Sequence, residues 1–337
     1  MICDPSVPES DRSRGSNEHG FIEDSAGSAM TIAVCICTYL RPESLQRLLD
    51  VLSGMEFGTL DPRDVFIVVV DNRPGGRARE ICNQALKSLP VTLYFVEEPT
   101  PGISFARNRA ISTALSRGAE FIAFLDDDDL PRPDWLVHLV DRQRVSGADL
   151  VTGIWQLPDN LTIPGSLSTI KFLRPPEFDS LNRWGSPHGA ATCNVLIGRA
   201  VVEHLERTGP VFRPEFALTG GGDTDFFIRA RAAGFSVAVA TDSVVFRTWD
   251  AARLTWLGVL RRAFRMGSTS MHLDRAHTSA IECECKYREA RNDLVRTIIF
   301  LPCSLFRPKK FVKRLSRIAC SLGALHAHSG RRYEYYD

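Results

Sequence analysis

Phe121-Ile-Ala-Phe-Leu-Asp-Asp-Asp-Asp129 is an apolar run that ends in four consecutive carboxylates. The run is short and bounded by polar residues, so it reads as a buried strand. Four adjacent acids at one strand end repel one another unless a cation or several donors compensate. In extended geometry Asp126 and Asp128 project to one side, Asp127 and Asp129 to the other. Hard carboxylate oxygens suit Mg2+ or Mn2+, which take one or two carboxylates and complete their shell with water and phosphate oxygens. The alternative is a solvated acidic turn or a helix cap before Pro131-Arg-Pro-Asp-Trp-Leu136; caps ordinarily use a single Asp, not a run.

Upstream, the same pattern repeats. Thr31-Ile-Ala-Val-Cys-Ile-Cys37 reads as a strand, stops at Thr38-Tyr-Leu-Arg-Pro42, and is followed by leucines at helical spacing from Ser44. Val65-Phe-Ile-Val-Val-Val70 ends at Asp71-Asn72 and precedes a helix near Arg77–Ser88. Val91-Thr-Leu-Tyr-Phe-Val96 leads through Pro99-Thr-Pro-Gly102 into a helix over Ser104–Arg117. Four strand-then-helix units within about a hundred residues predict an α/β fold with a mainly parallel sheet flanked by helices. In such sheets ligands sit beyond the carboxyl ends of the strands, and here those ends are polar.

Downstream of residue 150 the pattern loosens. Strands are expected at Val151–Gln156, Ala190–Ile197 and Ser236–Ala240, with an irregular stretch over Asp159–Pro187. Helices are expected at Val201–Arg207, Thr224–Ala233 and Thr255–Met266. Met1 to Ala29 is polar and acidic and reads as a disordered leader. The domain reading is therefore 1–29 leader, 30–275 α/β domain and 276–337 basic helical region.

The 337 residues are 44% hydrophobic and 24% charged with a net charge of +1, so no global field points to nucleic acid. Charge is uneven: residues 291–337 hold ten Lys/Arg against three acids. Nine cysteines form no metal-type spacing and read as reduced, buried thiols. No stretch reaches the ~20 apolar residues that span a bilayer. Neither a dinucleotide glycine fingerprint nor a P-loop is present, which argues against a nicotinamide dehydrogenase or a P-loop nucleotidase.

The order of motifs is informative. Strand–Thr-Tyr-x-Arg-Pro–helix, Val-Asp-Asn72, Gly102-Ile-Ser-x-Ala-Arg-Asn108, the four aspartates, Pro-x-Trp-Leu136 and Gly-Gly-x-Asp-Thr-Asp-Phe-Phe227 together resemble the inverting family 2 glycosyltransferases of GT-A fold. Bacterial enzymes of succinoglycan-type exopolysaccharide assembly are the nearest in pattern. The resemblance runs from about Thr31 to Met271, with a weaker echo in Gly330-Arg-Arg-Tyr-Glu-Tyr-Tyr336. It implies that Thr38, Tyr39 and Arg41 line a nucleotide pocket, that Asp71 accepts from the base, and that Arg107 and Asn108 lie by ribose or phosphate. It further implies that Asp126 and Asp127 serve the nucleotide-sugar, Asp128 the metal, and Asp223 the acceptor proton as catalytic base. Read from its own surroundings, Asp223 is also a candidate helix cap, with Asp225 complementing the helix dipole. Two departures stand out: Gly222 occupies a position where many relatives have Glu, and Val244-Val-Phe-Arg-Thr-Trp-Asp250 lacks a His that relatives often carry. Arg247 and Arg265 are expected to reach the diphosphate instead, and Trp184 and His188 to shape acceptor recognition.

These residues imply metal-dependent transfer from a UDP-sugar, UDP-glucose by default, to a glycan or lipid-linked acceptor. A nucleotidyltransferase and a catalytically silent glycan- or nucleotide-binding protein are the rival readings. Arg307-Pro-Lys-Lys-Phe-Val-Lys-Arg-Leu-Ser-Arg317 carries six basic residues and no acid, with Phe311, Val312, Leu315, Ile318 and Ala319 on one helical face. Such a helix either lies on an anionic membrane surface or packs as an ordinary helix. The expected location is cytoplasmic, peripheral on the inner face of the membrane.

Overall fold

Strands β1 (Ile32–Thr38), β2 (Val65–Asp71), β3 (Thr92–Glu97) and β4 (Phe121–Asp126) are joined by helices α1 (Pro42–Leu52), α2 (Ala78–Ala85) and α3 (Ile103–Leu115). They belong to a computed structural model that describes residues 30–175, 192–331 and 333. Expectations for residues 1–29, for Trp184 and His188 and for most of the Tyr-rich end fall outside the described residues.

β1 lies between β2 and β4, and all three run parallel, with β3 parallel to β2 on the outside. The register matters for function. Thr38 is level with Asp71, Asp71 with Glu97, and Cys37 with Asp126, so the polar ends of four strands form one row. Burial on both faces explains why these strands are apolar runs without alternation. Ile32, Val34 and Ile36 pack with Leu45, Leu48, Leu49 and Leu52 of α1, while Ala33 and Cys35 pack with Ala106, Ala110 and Ile111 of α3. Each fully buried Leu contributes roughly 1.5–3 kcal/mol.

After β4 the sheet becomes mixed. The chain leaves β4 at Asp126, turns through Asp127 and Asp128, and forms the short β5 (Asp129–Pro131) before α4 (Trp135–Ser146). The turn corrects the expectation that the four aspartates share one extended strand. β6 (Leu150–Gln156), β7 (Asn194–Gly198), α5 (Arg199–Glu206), α6 (Gly222–Ala232) and β8 (Val237–Arg247) follow. The full order is β3-β2-β1-β4-β7-β6-β8-β5, with β7 and β5 antiparallel to their neighbours. β8 runs seven residues beyond the expected strand, with three extra residues, Thr241–Ser243, opposite the Gly153/Ile154 step. Asn194 repairs that break: its amide donates to the carbonyls of Ile154 (3.1 Å) and Ser243 (3.0 Å).

Helices α7 (Trp256–His277), α8 (Ala280–Ile299) and α9 (Pro308–His328) complete the chain. Residue 275, the boundary expected from sequence, lies inside α7. The apolar face expected on α9 is largely covered: Val312 is buried, and the Phe311 ring sits 6.1 Å from that of Trp256. α7 and α9 touch backbone to backbone where Gly267 faces Cys320 and Gly323 faces Phe264. Among the described residues no helix is long and apolar enough to cross a membrane. The eight described cysteines are all free, but Cys285 and Cys303 are exposed, contrary to the expectation of burial.

The crossing makes a prediction with a diagnostic sign. Gly→Ala inside an exposed helix ordinarily stabilises by up to about 1 kcal/mol. At Gly267 the added Cβ would run into the Cys320 carbonyl, so Gly267→Ala is expected to destabilise by about 2 kcal/mol or more. Gly165→Ala, with open space around it, should stay within about 0.5 kcal/mol. Denaturant unfolding of both variants checks this; an Ala at 267 that stabilises would refute the close crossing.

Candidate active site

The four aspartates at the tip of β4 are met by four guanidinium groups. Thr38 Oγ1 donates to Asp127 Oδ2 at 2.9 Å, and Arg41 reaches Asp127 at 3.1 Å and Asp128 at 2.9 Å. Arg253 reaches the same Asp128 oxygen at 3.2 Å, and the Thr248 hydroxyl donates to the Asp128 carbonyl at 2.9 Å. Arg247 grips Asp129 with two parallel bonds of 3.1 and 2.7 Å while its guanidinium lies 4.9 Å from the Trp155 ring centre. Arg107 approaches Asp126 at 3.6 Å. Leu40 has a positive φ of 53°, a left-handed conformation costing a non-glycine residue about 1–2 kcal/mol. That kink lies between Thr38 and Arg41, both of which hold Asp127.

The four carboxylates are not equivalent. Burial pushes Asp127 up to about 6 despite Arg41; desolvation by the surrounding protein, with Asp129 and Asp128 adding to it, raises Asp126 despite Arg107, although part of its side chain still meets solvent. Burial also raises Asp129, and the Arg247 fork opposes that rise. Solvent reaches Asp126 and Asp128, whose side chains are 38% and 20% exposed, whereas that of Asp129 is fully enclosed. Asp126, Asp129 and Cys193 also converge closely enough to surround an ion. That trio is a poor fit for a hard cation: Asp129 is committed to Arg247, and burial raises the Cys193 thiol, which keeps it protonated. Asp126 and Asp128, accessible and hard, fit Mg2+ or Mn2+ better.

Asp223 is supplied by the first turn of α6. Gly220 and Gly221 have positive φ values of 77° and 96°, and Gly221 backs onto Thr269 of α7, where a Cβ would collide. Gly221 is the cap of α6, and among the described residues no side chain caps that helix. The capping role considered for Asp223 is therefore absent. Its Oδ1 instead accepts from Arg107 Nη1 at 2.5 Å, and its Oδ2 has a long 3.5 Å contact with the Thr192 N–H. Burial alone would lower the Arg107 guanidinium, but Asp223 and Asp126 outweigh it and hold it charged. One buried arginine thus touches the strand-tip carboxylate and the helix-start carboxylate together.

Arg107 is placed by the Pro99–Gly102 connection, which Asn72 holds. Asn72 Nδ2 donates to the carbonyls of Glu98 (2.9 Å) and Thr100 (2.7 Å), and its Oδ1 accepts from the Gly102 N–H (2.8 Å). Gly102, at φ 132°, starts α3 against Ala217, close to the segment that leads to Asp223. Asp71 is buried, raised by desolvation, and accepts from the Arg73 N–H at 2.9 Å. Asn108 closes both ends of its amide on the Phe212 backbone, which ties down α3. Tyr39 follows Thr38 at the end of β1, and Arg265 lies within α7. Gly222 is under no steric demand, since a Cβ there would make ordinary contacts with Ser104 and Phe216.

Three features escaped sequence reading. Arg253, six residues past β8, has no local signal and is found only because the chain returns to the strand tips. The Asp129–Arg247 pair is a register partnership between β5 and β8. Asp225, read as a first-turn acid, is fully buried and bonded to Arg229 (2.9 Å) and His277 (2.8 Å), which anchors the start of α6 to the end of α7.

A model of the family described as glycosyl transferase family 2 matches residues 33–205, which include the aspartate cluster and stop before Asp223. The chain is 31% identical over 253 residues to succinoglycan biosynthesis protein ExoM of Rhizobium meliloti (strain 1021), covering 73% of this chain and 76% of that one. It is 28% identical over 216 residues to glycosyltransferase AglE of Haloferax volcanii, covering 63% of this chain and 65% of that one. In fold it is similar to mannosyltransferase PcManGT from Pyrobaculum calidifontis, solved with GDP-Man and Mn2+ (TM-score 0.56, 14% identity, 87% of this chain and 86% of that one). It is likewise similar to S. aureus TarS 1–349 (TM-score 0.51, 14% identity, 90% of this chain and 93% of that one). With its α/β sheet of GT-A type and its relatives in glycan assembly, the chain belongs to the family 2 glycosyltransferases.

Proposed function

We propose that this chain moves one sugar from a UDP-sugar, with UDP-glucose the first candidate, to a hydroxyl of a growing, lipid-linked bacterial glycan, inverting the anomeric centre. The observation that carries the reading is the position of Arg107, whose guanidinium contacts both Asp126 and Asp223. Both carboxylates are thereby within reach of one guanidinium, Asp223 at 2.5 Å and Asp126 at 3.6 Å. A donor diphosphate at the strand tips and an acceptor hydroxyl at the start of α6 would then share one cleft.

The transfer is a single in-line displacement. The acceptor oxygen bonds to the anomeric carbon as the carbon–oxygen bond to the diphosphate breaks, and the nucleoside diphosphate leaves with that electron pair. Asp223 takes the hydroxyl proton. Arg107 anchors one of its oxygens and fixes its orientation, so Oδ2 is the oxygen that would receive the proton. Arg41 and Arg253, the guanidinium groups on Asp128, are placed to meet phosphate oxygens, which suit their planar donor geometry. A divalent cation, Mn2+ or Mg2+, held by Asp128 with Asp126 beside it, would offset charge developing on the leaving diphosphate. GDP-Man and Mn2+ in the PcManGT complex support a nucleotide-sugar donor with a divalent cation, and the succinoglycan biosynthesis name of ExoM supports a glycan acceptor.

Asp223→Asn is expected to leave UDP-glucose binding, measured by calorimetry, within about two-fold while turnover falls roughly 10²–10⁴-fold. Near-normal turnover would rule out Asp223 as the base. Asp128→Asn should abolish the gain in donor affinity that Mn2+ confers, and an unchanged Mn2+ dependence would remove Asp128 from the ligand set. A calorimetric panel of UDP- and GDP-sugars decides the donor.

A further inference from the structure

The turn between α8 and α9 presents apolar side chains to solvent although its backbone is firmly held. Ile299 is 63% exposed, Leu305 59% and Phe306 98%. The turn itself is built: the Ser304 hydroxyl, buried, donates to the Leu301 carbonyl at 2.6 Å, the Arg307 N–H donates to the Ser304 carbonyl at 2.9 Å, and Arg314 donates to the Phe300 carbonyl. Pro302 and Pro308 fit at the starts of the short helical turn and of α9. Outward display of Phe and Leu is thus a property of an ordered element. Contiguous exposed apolar surface of this kind marks an interaction site.

Charge identifies the partner. Arg307, Lys309, Lys310 and Lys313 follow the apolar turn and are exposed. No acidic residue occurs between Asp293 and Glu334. Apolar side chains backed by a row of lysines and arginines complement an acyl boundary beneath anionic headgroups. Phe311, four residues into α9, packs on Trp256 at the start of α7, where Trp256 and Leu257 are also exposed. Three residues before Trp256 is Arg253, which contacts Asp128. The apolar edge therefore continues from the turn to the border of the carboxylate cluster.

We propose that the α8–α9 turn is a membrane-contact element whose partner is an anionic lipid surface, with Leu305 and Phe306 entering between headgroups and Arg307, Lys309 and Lys310 pairing with lipid phosphates. This moves the contact away from the α9 face expected from sequence, which is spent on packing. Delivery of the site to a lipid-linked acceptor is a consequence that rests on the proposed function; vesicle binding does not depend on it.

Flotation of the full chain with vesicles of equimolar phosphatidylglycerol and phosphatidylcholine tests the proposal. Wild type should float with these vesicles and stay behind with phosphatidylcholine alone. The Leu305→Ser, Phe306→Ser double variant should bind roughly ten-fold more weakly. Lys309→Ala with Lys310→Ala should weaken binding about thirty-fold at low salt, and raised salt should weaken wild type likewise. Because all four side chains are exposed, both variants should unfold at the wild-type temperature and bind UDP-glucose as wild type does. Failure of wild type to float with the anionic vesicles overturns the proposal, as does undiminished flotation of the serine variant. A concentration-dependent dimer that the serine variant abolishes, without vesicle binding, would overturn it in favour of a second copy.

Discussion

A single buried guanidinium, that of Arg107, spans the distance between a carboxylate at the end of a strand and a carboxylate at the start of a helix. Two like charges brought that close in a partly dry environment would separate or neutralise without a shared counter-ion. Arg107 supplies it, from a helix whose own start is fixed by Asn72 and Gly102. The geometry of the whole site follows from this constraint: β4 sets the height of Asp126, the glycine turn sets the position of Asp223, and α3 delivers the cation that makes both tolerable.

The backbone around the cleft is correspondingly specialised. Leu40 and the Gly102, Gly220 and Gly221 positions all adopt positive φ within the segments that carry Arg41, Arg107 and Asp223. Strain of about 1–2 kcal/mol at Leu40 is borne between β1, buried at all positions but Cys37, and α1, whose Leu45, Leu48, Leu49 and Leu52 are buried. The Asp225–His277 bond performs the same service for α6, holding its first turn against α7 so that Asp223, two residues earlier, has a fixed base.

How much of this could be read from the chain alone depended on the range of the interaction. β1 to β4 were legible because burial on both faces writes an unbroken apolar run, and the aspartates, Arg107 and Asp223 because a resemblance fixed their order. Asn72 reads in the sequence as a strand ending and part of the Val-Asp-Asn motif, while its building of the loop before α3 rests on the backbone of Glu98, Thr100 and Gly102. The turn at Asp127–Asp128 was missed because β5 exists only by pairing with β8, more than a hundred residues away. Arg253 and the glycine contact between α7 and α9 have no local signature for the same reason: each is defined by a partner distant in sequence. Gly267 and Gly323 look like helix defects until the facing carbonyls of Cys320 and Phe264 are in place.

Magnitudes separate the ion pairs that hold the cleft from those that can be exchanged in it. Asp129 is enclosed and gripped at two atoms by Arg247, and breaking such a pair by removing one partner costs roughly 3–5 kcal/mol. The contacts of Asp128 with Arg41 and Arg253 are partly open to solvent, where an ion pair is worth about 0–1 kcal/mol. Asp129 is therefore a fixed part of the floor, and Asp128 is the carboxylate that can change partners at small cost. On the proposed reading, a donor diphosphate offers Arg41 and Arg253 an equivalent partner, which frees Asp128 oxygen for a cation. Cation and donor would then each improve the site for the other, and linkage requires that improvement to be equal in both directions. Arg107 lies under a heavier restraint, buried and shared between two acids, so it stays put and keeps Asp223 oriented while Asp128 changes partners.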